Sequence, residues 1–118
     1  MSDLYHEIIL DHAAHPHNQG VLEVATHTLQ QSNASCGDTL KLQLKIVDGK
    51  VVEVAWQGNG CAISTASTSM FTEMIKGKSV QEVKAITQEK MMEEMGMDEI
   101  LPTREKCLML PLRAVKEL

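Results

Sequence analysis

Aromatic residues are almost missing from this chain, which has one Phe, one Trp and one Tyr in 118 residues. A core built on stacked rings is therefore excluded, and Val, Ile, Leu and eight Met must fill the interior. Thioethers fill irregular space loosely, which gives such a core some plasticity. No apolar run approaches the roughly 20 residues that a membrane-spanning helix needs. The N-terminus, Met1-Ser2-Asp3-Leu4-Tyr5, lacks a basic region followed by an apolar block, so no secretory signal is expected. Basic clusters are lacking too. The net charge is −5 with no long block of one sign, which argues against a nucleic-acid partner and gives no polybasic membrane signal. Cysteine is sparse and odd in number, at three. A secreted disulfide framework uses an even number, so the expectation is a reduced, cytoplasmic chain whose thiols are inert, nucleophilic or ligating.

What remains reads as one domain over residues 1–118. Residues 3–14 read as a helix, with Leu4, Tyr5, Ile8, Ile9 and His12 on one stripe and Ser2 or Asp3 able to cap it. Pro16 and Gly20 stop it. Residues 24–31 are polar and Thr-rich and read as a weak edge strand, followed by Ser32-Asn33-Ala34-Ser35 as loop. From Thr39 to Val47 the alternation is clean: Leu40, Leu42, Leu44 and Ile46 face one way, and Thr39, Lys41, Gln43 and Lys45 the other. Asp48-Gly49 is a two-residue hairpin signal. Val51 to Trp56 returns, with Val52, Val54 and Trp56 as the inward set.

Residues 61–76 read as a helix with Ile63, Ala66, Met70, Phe71, Met74 and Ile75 on its apolar face. Its many small residues suit close packing on a sheet. Ser79 and Glu82 form a capping box for a short helix to Ile86, Thr87 caps another to Met95, and Gly96 ends it. Residues 104–118 read as the last helix. Pro111 either stands in its first turn or kinks it, and both place Cys107 near a helix N-terminus. Helix, three strands, then helices is an α+β pattern.

The chain turns on Trp56-Gln57-Gly58-Asn59-Gly60-Cys61-Ala62-Ile63-Ser64. A strand ends, two glycines bend the chain, and a helix begins. The Cys61 thiol thus stands at a helix N-terminus, where the dipole favours thiolate. A hairpin of near-equal arms returns Cys61 to the end of the sheet from which Cys36-Gly37-Asp38 departs. Cys107 follows a loop. Three thiolates and the Asp38 carboxylate make a four-ligand tetrahedral set, which suits zinc or an iron–sulfur cluster with one carboxylate ligand. There is no CxxC knuckle, and buried inert thiols are the competing reading. Arg104 and Lys106 are either surface charge or holders of an anion beside Cys107. His6, His12, His15, His17 and His27 read as mostly solvated. Met91, Met92, Met95 and Met97 read as core filler rather than a copper site.

Five motifs carry a wider likeness: Tyr5, Ile9, Asp11-His12, Pro16, Asn18 and Gly20; Cys36-Gly37-Asp38; Gly58 to Ser64 followed by Ala66-Ser67 and Ser69-Met70; Gly77-Lys78-Ser79; and Cys107. Together they resemble the U-type iron–sulfur cluster assembly scaffolds, the family of IscU, SufU and the N-terminal domain of NifU. The resemblance covers nearly the whole chain. It implies a three-stranded antiparallel sheet packed by helices, with the metal or cluster site at one end of the sheet. It also implies that Cys36, Asp38, Cys61 and Cys107 hold iron or a 2Fe–2S cluster, or zinc in the isolated protein. Sulfur would come from a cysteine desulfurase as persulfide, with Cys107 and Cys36 as candidate acceptors, and the cluster would pass to recipient apo-proteins.

The SufU branch implies an alternative, a zinc-dependent sulfurtransferase that holds no cluster. A structural zinc module is a third reading. Cys61-Ala62-Ile63-Ser64 and Arg104-x-Lys106-Cys107 resemble SufU, yet the segment SufU carries between its second and third cysteines is missing. Lys106 stands where the IscU branch has His. Only Leu101-Pro102 matches that branch's Leu-Pro-Pro-Val-Lys motif, which argues against docking of an Hsp70-type chaperone.

Overall fold

The structure, a computed structural model, describes residues 3–33 and 37–118, with side chains from residue 7 onward. Helix α1 (Asp3–Ala14) precedes strands β1 (His27–Asn33), β2 (Asp38–Val47) and β3 (Lys50–Asn59). Helices α2 (Ala62–Ile75), α3 (Val80–Lys84), α4 (Gln88–Glu94) and α5 (Pro102–Val115) follow. The strands form one antiparallel sheet in the order β1-β2-β3, which is the α+β arrangement expected. The expected cap at Ser2 and the side chains of Leu4, Tyr5 and His6 lie outside what is described.

The β2–β3 turn consists of Asp48 and Gly49, with φ of 53° and 77°. A type I′ turn needs this left-handed pair, and Asp-Gly adopts it at little steric cost. So short a turn sets the register: Leu42 faces Trp56 and Thr39 faces Asn59. Asp38 therefore opens β2 at the end where β3 runs out.

Lower in the hairpin the pairing slips. Lys45 faces Glu53, but Ile46 faces Val51. Val52 is the extra residue of this bulge. The expected inward set is corrected accordingly: Val51, Val54 and Trp56 are buried, and Val52 is 50% exposed. Simple alternation cannot register a two-against-one pairing.

β1 reaches Asn33, beyond its expected end, and Asn33 stands opposite Asp38. The outer edge of β3 is covered by the segment after α1. Gly20 N–H donates to the Trp56 carbonyl at 2.8 Å, Trp56 N–H to the Asn18 carbonyl at 3.0 Å, and the Trp56 indole to the His17 carbonyl at 2.8 Å.

One core joins Leu40, Leu42, Leu44, Phe71, Leu108 and Leu112. α2 lies between α1 and α5, so its buried Ser67, Thr68, Ser69 and Thr72 admit two helices rather than the sheet alone. Ser69 Oγ receives the His17 N–H at 2.7 Å and meets His12 Nδ1 at 2.7 Å. The capping box at Ser79 and Glu82 and the cap at Thr87 are both present. Met91, Met95 and Met97 are buried in the core. Among the described residues no helix is long and apolar enough to cross a membrane.

α5 starts at Pro102, where the missing N–H is one that a helix leaves unused. Cys107 is consequently in the second turn, which corrects its expected place at the N-terminus. Pro111 lies inside the helix. It lacks the N–H that would reach the Cys107 carbonyl, and its ring crowds that carbonyl. The next carbonyl, of Leu108, takes the Ser67 hydroxyl at 2.6 Å. That bond ties the interrupted turn of α5 to α2 and helps fix Cys107.

The α1–α2 junction is expected to be acid-sensitive. Burial, aided by His17, holds His12 below the usual imidazole value, against Asp11 and Glu73, which favour the cation. Folding thus weakens proton binding at His12. The stability this represents is complete above about pH 6.5 and declines as the pH falls below it. Burial pushes Glu73 up, but the Asn18 amide and Lys76 outweigh it and hold the carboxyl below its usual value. Its contribution is complete above about pH 4.5 and is lost as the pH falls through the lower folded value. The urea midpoint is expected to drop between about pH 7.5 and about pH 5.5. His12→Asn keeps an acceptor for Ser69 and is expected to flatten that interval. An undiminished drop in the variant would rule His12 out as its source.

Candidate metal centre

Three elements bring ligands to one end of the sheet. Asp38 opens β2, Cys61 is the N-cap of α2, and Cys107 lies in α5. A carboxylate oxygen of Asp38 and the two Sγ atoms all lie within 4.8 Å of one another. Zinc–sulfur bonds of about 2.3 Å in a tetrahedron set ligand atoms about 3.8 Å apart, so the cluster is near that size. Cys61 and Cys107 are not joined in a disulfide. Cys36, the remaining expected ligand, lies outside the described residues. Among the described residues no histidine joins the group.

Asp38 is 1% exposed. Its Oδ1 accepts the Cys61 N–H at 3.1 Å. Its Oδ2 is buried with no hydrogen-bond partner among the described residues. A buried acceptor left so costs about 1–3 kcal/mol, and more when charged. A bound cation is the usual remedy. Two soft sulfurs beside one hard oxygen suit zinc or iron. The residues present therefore fit a metal.

Gly60 permits this approach. A Cβ there would run into Ser64 Oγ and stand 2.6 Å from Asp38 Oδ1. Burial pushes the Cys61 thiol up. Hydrogen bonds from the Ser64 and Ile63 N–H groups, the Cys107 thiol and the Ser64 hydroxyl outweigh it, and the net direction is down. Arg104 stands against both sulfurs. The Cys61 charge foremost, then hydrogen bonding and charge at Cys107, pushes its guanidinium up. The two possibilities left open for Arg104 and Lys106 thus divide: Arg104 faces the thiols, and Lys106 is exposed.

Cys107 is fully buried while Cys61 is partly open. Brief iodoacetamide treatment of metal-free protein is expected to label Cys61 at least about tenfold faster, since alkylation follows thiolate character and access. Peptide mass spectrometry reads the rates. Equal rates would show that α5 opens faster than alkylation proceeds.

The sequence marks Gly60 only as a bend, because its closeness to Asp38 depends on where the strand pair ends. Asn33 belongs to β1 and not to the expected loop. The signal was the alternation of Leu29, Gln31 and Asn33, which continues the strand, and Leu29 and Asn33 are its buried positions.

A family model for the NifU-like N terminal domain matches residues 4–117. The chain belongs to that family. This NifU-like domain is 35% identical over 133 residues to the iron–sulfur cluster assembly scaffold protein IscU of Streptococcus pyogenes serotype M1, covering 99% of this chain and 83% of the relative. It is 43% identical over 82 residues to the zinc-dependent sulfurtransferase SufU of Bacillus subtilis strain 168. That match takes in 69% of this chain and 54% of SufU, about half of the relative's length. Among solved structures, the NifU-like domain is similar to a Fervidobacterium islandicum AW-1 protein assigned as a SUF-system cluster assembly scaffold. The TM-score is 0.82 at 28% identity, over 97% of this chain and 95% of that one.

Proposed function

We propose that this NifU-like domain, as one unit over residues 1–118, is a cytoplasmic iron–sulfur cluster assembly scaffold. It accepts sulfur from a cysteine desulfurase. It holds iron or a 2Fe–2S cluster through Cys36, Asp38, Cys61 and Cys107, with zinc in the same place in the isolated protein. The observation that carries this reading is the buried, unpartnered Asp38 Oδ2 beside the Cys61 and Cys107 sulfurs. The family match and the IscU relatives support it.

Sulfur arrives by exchange. A thiolate of this chain attacks the outer sulfur of the donor's persulfide. One S–S bond forms as the donor's breaks, and the donor leaves as thiolate. Of the two candidate acceptors, Cys107 is fully enclosed, which favours Cys36. Thiolates hold the cargo firmly and the carboxylate holds it more weakly, so the Asp38 corner is the one that opens toward recipient apo-proteins. Incubation with a cysteine desulfurase and cysteine, followed by mass spectrometry, is expected to place the persulfide on Cys36. Labelling on none of the three thiols would sink the reading.

A second reading, a zinc-dependent sulfurtransferase that holds no cluster, is supported by the identity to SufU and by Arg104 against both sulfurs. Anaerobic reconstitution with iron and sulfide separates the two. Visible absorbance that depends on the cysteines supports the scaffold. Firm zinc retention with desulfurase stimulation and no colour supports the transferase.

A further inference from the structure

We infer that Asn33 is the hydrogen-bond donor that holds sulfur in this site, an inference that rests on the scaffold reading. Asn33 ends β1 directly opposite Asp38. It is 4% exposed, and its Nδ2 is buried without a partner among the described residues. Opposite residues on neighbouring antiparallel strands point to the same face, with Cβ atoms about 4.5–5.5 Å apart. At one spot, then, the protein buries a carboxylate oxygen with nothing to accept and an amide with nothing to donate to.

Had Asn33 served only to steady Asp38, the two side chains would be bonded to each other. They are not, and each is open to a different occupant. Oδ2 takes a cation. An amide N–H cannot coordinate a cation and needs a lone pair, best on an anion. Adjacent places for a cation and an anion describe a metal with sulfur attached. That sulfur is a sulfide or the outer atom of a persulfide. Hydrogen bonds to sulfur are among the ways a protein tunes such a group.

The test compares wild type, Asn33→Leu and Asp38→Ala. Each is loaded without air with zinc alone, or with ferrous iron and sodium sulfide, and then desalted. Bound zinc, iron and acid-labile sulfide are counted. Leu has nearly the shape of Asn and removes the stranded donor. Asn33→Leu is expected to hold zinc within about 2-fold of wild type and to lose bound sulfide about 10-fold faster, the scale on which groups just outside a metal's ligands act. Its metal-free urea midpoint is expected to be no lower. Asp38→Ala is expected to lose zinc as well.

Equal loss of zinc and sulfide in Asn33→Leu would mean that Asn33 acts through the carboxylate, and would overturn the inference. Unchanged sulfide retention would overturn it too. Should Asn33→Leu not fold, Asn33→Ala is compared in the same way. A wild-type chain that binds zinc but keeps no sulfide overturns the scaffold reading along with this one. Wild-type retention matched by the variant overturns this one alone.

Discussion

Gly60→Ala is expected to empty the metal centre while leaving the sheet and helices in place. The new methyl group would stand 2.6 Å from Asp38 Oδ1 and collide with Ser64 Oγ. Neither neighbour can step aside without breaking a bond it makes to Cys61. Ser64 is buried and its hydroxyl donates to the Cys61 carbonyl at 3.1 Å. Asp38 is buried and its Oδ1 accepts the N–H of Cys61, the N-cap of α2. The carboxylate must lift away, and the Cys61 N–H loses its acceptor. Overpacking of this kind costs about 1–3 kcal/mol. Displacing a ligand and its neighbour together is expected to weaken zinc at least about 100-fold. Competition with a chromophoric chelator and urea unfolding measure the two effects. Zinc affinity within about 3-fold of wild type, on the same scale, would place the metal elsewhere. Gly58→Ala makes the contrast. Its methyl group would strike the Thr39 carbonyl across the strand pair, so the hairpin itself must part.

Asp38→Asn is expected to separate stability from binding. Asn keeps an oxygen for the Cys61 N–H and removes the carboxylate whose second oxygen has no hydrogen-bond partner among the described residues. Stripped of metal, the variant is expected to equal or exceed wild type, by up to about 1–3 kcal/mol. Zinc retention is expected to fall at least about 10-fold, because an amide is a poorer ligand than a carboxylate. Unfolding in chelator reads the first effect and metal competition the second. A metal-free variant weaker than wild type by more than about 1 kcal/mol would show that the carboxylate charge is already compensated.

Local chemistry in the sequence foretold the local structure. Asp48-Gly49 specified its turn, and the turn alone brought Asp38 and Cys61 to one end of the sheet. Ser79, Glu82, Thr87 and Gly96 marked helix ends because a cap needs only neighbours a few residues away. Failures came where distant packing decided. Val52 turned outward because β3 gains a residue against β2 at the bulge. Asn33 joined a strand because β2 offered it a partner. Cys107 reaches the other sulfur through α5 lying on α2, held by Ser67 and Leu108, and no periodicity in the chain carries that information. The family resemblance anticipated the cysteine's role but not the bond that fixes it.

The two-residue turn also has a kinetic consequence. Hairpins zip in about 1–10 μs, whereas contacts that close long stretches of chain form late. Asp38 and Cys61 are 23 positions apart and arrive with the hairpin. Cys107 must wait for the C-terminal helix to dock. An ion present during folding is thus expected to meet a half-formed cradle first and be sealed in afterwards, with release following the reverse order.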